Sequence, residues 1–354
     1  MRYQFLAIAF LVSEVTAQPV EARLIPTADV PAMTQASDLI VVGRASLTQN
    51  PNAPFLVTVD RVLKGGTGAS QRLAVLPAPE SQGYSGVYER QYGIFFLRRQ
   101  PGGGSYTVTD PFHPALVASP RQAPNQPASA DVLSSVAQEL TSVLTASTAT
   151  LTDPVGGVQD PTMAPPAYQA QHVYAEAASA LRTLPYALAG PGLDAIAASN
   201  QVPARLWAMY TLFSMDDSDD DSAKMDYLQS VTPILINPKP GLAFSASMLG
   251  TVIEGHLKSP AAVPMLAALL GSTQVTVRRA AASDLCEIAT PDVVAPLAKI
   301  ALNDSDETVL FRAVLGLAKV TRAATVPPIP TFRQKQDEIL HFWRAWARAN
   351  VRGP

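Results

Sequence analysis

The sequence predicts an α+β protein in two parts, a small antiparallel β-barrel followed by an all-α solenoid. Three observations carry this. Between Ala36 and about Ala118, apolar residues recur with a period near two. Beyond the Pro-rich stretch 111–130 the period lengthens to 3.6. Near the C-terminus, "TVRRAAASDLCEIA" (276–289) is followed by "TVLFRAVLGLAKVT" (308–321), almost the same helix written twice.

The first residues, "MRYQFLAIAFLVSEVTAQP", have the layout of a secretory signal peptide. Arg2 gives a basic start, Phe5 to Val12 is an apolar run, and Val15 and Ala17 precede a cut before Gln18. The run is too short to span a bilayer. A buried N-terminal helix is the alternative. No Cys follows the run to serve lipoprotein processing, and no later stretch reads as a membrane span. The expected mature chain is exported, periplasmic or secreted. Its one cysteine, Cys286, excludes an intrachain disulfide and a Cys-based metal site. A net charge of −3 argues against nucleic acid as a partner. The length, 354 residues, allows about two domains, and 31 prolines with only 16% charged residues imply many rigid connections.

Five segments are strand-like: "DLIVVGRAS" (38–46), "PFLVTVDRVLKGG" (54–66), "QRLAVLP" (71–77), "YGIFFLRR" (92–99) and "SYTVTD" (105–110). In the second, Phe55, Val57 and Val59 alternate with Leu56, Thr58 and Asp60. Five short strands separated by Gly, Pro and Asn suit a small antiparallel barrel or sandwich. Residues 36–118 resemble the bacterial relatives of the netrin and tissue-inhibitor-of-metalloproteinase domain, a resemblance that implies an OB-type five-stranded barrel. The inhibitors of that family bind zinc through an N-terminal cysteine. Gln18 would stand there instead, which speaks against inhibition of that type.

Pro111, Pro114, Pro120, Pro124 and Pro127 interrupt any regular element, so this stretch reads as a linker. The expected division is a signal peptide at 1–17, a barrel at 18–118, a Pro-rich linker at 119–166 carrying one helix (131–146), and a solenoid at 167–354. Within the linker helix Val132, Leu133, Val136, Leu140, Val143 and Leu144 share a face, and Asp131 is placed to cap it. Further helices are expected at about 167–184, 191–199, 203–215, 223–236 and 243–257.

Shifted by 32 residues, Pro264 matches Pro296, Val277 matches Val309, Ala281 matches Ala313 and Leu285 matches Leu317. Each unit reads helix, short polar turn, helix. One such pair cannot cover its own apolar face, so neighbours stack. The "P-x-L" of the first helix and "V-R-x-A-A" opening the second resemble HEAT repeats, particularly the short bilin-lyase-type variety. Two good copies span 261–321 and degenerate ones begin at 191. The resemblance implies an α-solenoid over 191–321 that binds other macromolecules, and it carries over no catalytic residue. In the second copy Leu310, Phe311 and Leu315 lie outside the apolar stripe and require a cover. A capping helix over 331–349, with Ile339, Phe342, Trp343 and Trp346 at helical spacing, is expected to supply it.

The candidate sites all have structural readings. "DDSDDDS" (216–222) alternates Asp217, Asp219 and Asp221 like a calcium loop. It has Ser222 where the loop needs glycine and Leu228 where it needs glutamate, so it reads as a solvated turn. His113, His172, His256 and His341 show no ligand spacing, and no G-x-S-x-G occurs. "GGTG" (65–68) and "GGG" (102–104) read as hairpin turns. Asp284 falls within an apolar stripe, and an inter-repeat ion pair with Arg312 would satisfy it. Cys286 lies opposite that stripe and reads as a partly covered thiol.

No catalytic residue, cofactor or metal site follows from this. The reading is an exported, non-enzymatic protein-binding scaffold. An enzyme with a site between the two parts, and an inhibitor or carrier acting through the barrel, stay open. Polar residues converging in a cleft would favour the first; an exposed N-terminus or apolar groove on the barrel would favour the second. Edman sequencing of protein from its native host should begin at or near Gln18, and Met1 on that protein would refute export.

Overall fold

The computed structural model describes residues 27–48, 53–67, 71–76, 87, 89–120, 131–151, 166–215 and 221–351. The segment read as a signal peptide lies outside them. So do 216–220 of the acidic run and 121–130 and 152–165 of the expected linker.

Strands β1 (Leu39–Ser46), β2 (Phe55–Lys64), β3 (Arg72–Leu76), β4 (Tyr92–Arg99) and β5 (Ser105–Val108) pair in the order β1-β2-β3-β5-β4, and β4 returns to β1. The barrel is therefore closed, and it is of the OB type. All its pairings are antiparallel except β3 with β5, where Ala74 faces Ser105 in a parallel ladder. A short helix α1 (Val30–Ala36) precedes β1, capped by Asp29, whose side chain accepts from the Ala32 amide at 3.0 Å.

A sixth strand, β6 (Leu116–Val117), lies in the Pro-rich stretch and pairs with β4. It is two residues long because Pro114 and Pro120 close in on it. Gly93 makes the approach possible, since a Cβ there would meet the Leu116 carbonyl oxygen at 2.5 Å. Leu116, Val117 and Ala118 are buried.

Alternation along the strands assigns two cores. Leu39, Val41, Phe55, Val57, Phe95 and Leu97 fill the barrel interior. Ile40, Val42, Tyr92, Ile94 and Phe96, on the opposite face of β1 and β4, join the core of the helices. Both strands are thus buried on both sides, which is why "LIVV" and "YGIFFL" are continuous apolar runs.

The helices are α2 (Val132–Thr145), α3 (Thr148–Leu151), α4 (Pro166–Leu181), α5 (Tyr186–Ala197), α6 (Val202–Ser214), α7 (Asp221–Ile236), α8 (Ala243–Ile253), α9 (Val263–Leu269), α10 (Val275–Ile288), α11 (Val294–Asn303), α12 (Glu307–Thr321), α13 (Ile329–Gln334) and α14 (Gln336–Asn350). Helices α4, α6, α8, α10 and α12 pack each on the next as one row. Helices α5, α7, α9, α11 and α14 form a second layer on it. Helix α6 is buried all round, from Leu206 to Phe213, in keeping with its unbroken apolar sequence. No helix among the described residues is long and apolar enough to cross a membrane.

The helix expected in the linker is α2. Asp131 caps it, accepting from Leu133 and Ser134 amides at 3.3 and 3.0 Å, and Val136, Leu140, Val143 and Leu144 are buried. It packs on α4 and α5 at the head of the row, and against β2. There Arg61 of β2 grips the buried Glu139 carboxylate with two hydrogen bonds of 3.2 and 2.8 Å. Helix α1 adds a second tie: the Val30 amide donates to Thr183 Oγ1 at 3.3 Å, and Lys64 Nζ donates to the Thr34 carbonyl at 2.8 Å. The boundary expected at residue 118 falls within a buried segment, and the core runs across it.

Close packing in the row depends on glycine at one point. A Cβ on Gly316 of α12 would meet Leu297 Cδ1 at 2.5 Å and the Cys286 Cα of α10 at 3.1 Å. Gly316→Val should therefore destabilise the protein by about 1–3 kcal/mol in urea titration, the usual cost of overpacking. A neutral effect would show that α10 and α12 are not in contact there.

Candidate functional site

The most ordered polar geometry lies along the row. Arg278 of α10 pairs with Asp304 in the turn before α12, at 2.8 and 3.3 Å. Its neighbour Arg279 pairs with Asp306, at 3.0 and 2.7 Å. Asp306 also caps α12 by accepting from the Val309 amide at 3.1 Å. The Arg279 guanidinium holds its carboxyl below the usual range. Lys319 of α12 returns to Glu287 of α10 at 2.8 Å, and Arg333 of α13 reaches Glu307 of α12 at 2.7 Å. Helices α10 and α12 are thus stapled at both ends.

The expected pair of Asp284 with Arg312 does not form. Asp284, 1% exposed, instead accepts from the backbone amides of Gly255 and Leu257, at 2.5 and 3.2 Å, and clamps the turn after α8. Gly255 holds a positive φ of 88° in that turn. Arg312 reaches Glu254 of the same turn at 3.3 Å. Both residues therefore serve the inter-repeat joint through the 254–257 turn instead of through each other. The spacing of the repeat shows which helices adjoin. It does not show that a loop lies between two side chains.

Residues 243–329 match the family model for HEAT repeats. No curated protein matches the chain. The HEAT segment covers α8 to α12, and its matching positions Val277, Ala281, Leu285, Val309, Ala313 and Leu317 are all fully buried. They are packing positions.

Cys286 is not a partly covered thiol. It is fully buried beneath α12 at the Gly316 contact, and burial pushes its thiol up. The helical stripe runs wider than Val277–Ala281–Leu285 because α10 has neighbours on two sides, α8 and α12.

The cap also differs in detail. The expected single helix over 331–349 is two, α13 and α14, with the break at Lys335. Phe332 of α13 covers the back of α12, its ring 5.2 Å from that of Phe311, and Leu310 and Phe311 are buried. Helix α14 packs on α11 through Leu340, Trp343 and Ala347. Ile339 and Trp346 are half-buried, and Phe342 is 42% exposed. Phe342 is therefore no part of the cap.

The histidines are scattered over the molecule. His113 bonds Asp110 at 2.9 Å, while the His172 and His256 rings lie against Phe244 and Phe213. Among the described residues no cluster of His, Cys, Asp and Glu could hold a metal ion. A shallow furrow of about 410 Å³ between α2 and α5 is lined by Ser134, Gln138, Thr141 and Ser142 opposite Leu188 and Ile196. Thr141 and Ser142 turn their hydroxyls to carbonyls of their own helix.

One exposed aromatic group lies on the row. Phe244 of α8, 40% exposed, lies 6.0 Å from the exposed His172 ring of α4 and 5.9 Å from buried Trp207 of α6. Trp207 is fixed by a 3.3 Å hydrogen bond to Gln171, which in turn donates to the Gly241 carbonyl at 3.2 Å. Sequence reading passed over this patch because its members come from three helices some 35 residues apart.

Two desolvated carboxylates make stability depend on pH. Burial pushes Asp284 up to about 7 against the two amides that favour its charged form. Burial likewise raises Glu176 of α4 to about 7, opposed by the Val117 amide. Asp284 is fully enclosed, whereas Glu176 keeps part of its area in water. The unfolded chain releases these protons near pH 4 and the folded one near pH 7, so their stabilising effect is lost as pH rises between those values. Urea midpoints should fall from pH 5 to pH 7.5, and Asp284→Asn should make that fall shallower. An unchanged slope in the variant would show that Asp284 is ionised throughout.

Proposed function

We propose that the protein is an exported, non-enzymatic scaffold whose HEAT row holds another protein. The supporting observation is that residues marking the HEAT segment are used for packing and its flanking charges for inter-repeat pairs. That leaves the exposed aromatic surface of Phe244 and His172 to meet a partner. Aromatic side chains backed by a rigid helix lose little conformational freedom on binding. Export is inferred from the signal-like residues 1–17.

A second reading has one observation in its favour. Phe112, at the end of the barrel, is 59% exposed between two prolines, as a carrier or inhibitor acting through the barrel would require.

Photo-crosslinking in the native host separates them. A crosslinking residue at position 244 should give a discrete protein adduct, and one at position 112 should give none. Adducts from 112 alone would replace the row by the barrel as the binding element.

A further inference from the structure

We propose that α14 pairs antiparallel with the α14 of a second copy of this chain, joining two rows tail to tail in a reversible dimer.

Glu338, His341, Phe342, Ala345, Arg348 and Ala349 follow the i, i+3, i+4, i+7, i+10, i+11 pattern of one helical face, and all six are exposed. That face lies opposite Leu340, Trp343 and Ala347, which pack on α11. Its centre is a large ring beside two small methyl groups. One end carries an acid and the other a base, and neither Glu338 nor Arg348 makes an ion pair among the described residues.

The charge order identifies the occupant. Glu338 and Arg348 are separated by about 15 Å along the axis, at roughly 1.5 Å per residue. A twofold axis across the middle of the helix sets Glu338 of each copy against Arg348 of the other, twice over. The same operation brings the two Phe342 rings side by side, about 3 Å apart along the axis, and sets each Ala345 opposite the other copy's His341. Such a surface is self-complementary, as an isologous interface must be. A second copy meets this charge order by symmetry alone. One helical face covers well under the ~1,200–2,000 Å² of a stable complex, so the dimer is a weak one, forming at tens of micromolar or above.

Sedimentation equilibrium of the full mature chain tests this across about 1–300 µM. A monomer–dimer equilibrium is expected. Glu338→Arg and Arg348→Glu should each weaken it at least tenfold, as should Phe342→Ala. Combining Glu338→Arg with Arg348→Glu should restore it to within about threefold. All these positions are exposed, and unchanged circular dichroism would show that the variants fold. A chain monomeric at every concentration overturns the proposal. So does a dimer indifferent to these substitutions, or a double reversal that fails to restore it.

Discussion

A helical pair cannot bury both of its apolar faces, so a row of pairs must end on something that is not another pair. The rest of the molecule follows from this constraint. At the head of the row the end is closed by the barrel, through the outward faces of β1 and β4 and the short β6. At the tail it is closed by α13 and α14, through Phe332, Leu340 and Trp343. The barrel therefore does for one end what a small helical cap does for the other. The desolvated Glu139 carboxylate, held by Arg61, fixes how β2 meets α2. A lone charge buried there would be costly, so its partner must come from the barrel.

Between the ends, register is held by devices that act across repeats. Arg278 and Arg279 tie α10 to the turn before α12, and Asp284 ties it to the turn after α8. Gly316 sets how closely two helices of the row approach. These devices join α8, which carries Phe244, to α10 and α12, while Gln171 links Trp207 of α6 to the Gly241 carbonyl before α8. Such ties are what a preorganised binding surface needs.

Much of this was legible in the sequence. The five barrel strands were placed within two residues or so, because Gly and Pro punctuate them and their alternation is clean. The repeat was legible because identical packing problems select identical residues, as at Val277 and Val309. What escaped has physical causes. Helix α1 is only seven residues long and shows too little periodicity to register. Strand β6 is two residues in a Pro-rich stretch and depends on Gly93 of another strand. Helix α5 begins at Tyr186, five residues before Pro191, which suggests a start when read alone. The Asp284–Arg312 pair, the exposure of Cys286 and the place of Phe342 differ from the sequence expectation for one reason. A helical wheel shows which residues share a face, but not how many neighbours the helix has or which loops intrude. The aromatic patch across α4, α6 and α8 had no signal in the sequence at all.

The central claim is that barrel and row form one cooperative body with a common core. Hydrogen exchange followed by mass spectrometry across a urea series measures this directly, on a β4 peptide covering 92–99 and an α6 peptide covering 206–213. The two should lose protection at the same urea concentration and with the same opening free energy. A β4 peptide still protected after α6 has opened, or open while α6 is protected, would show two independent domains and contradict the account.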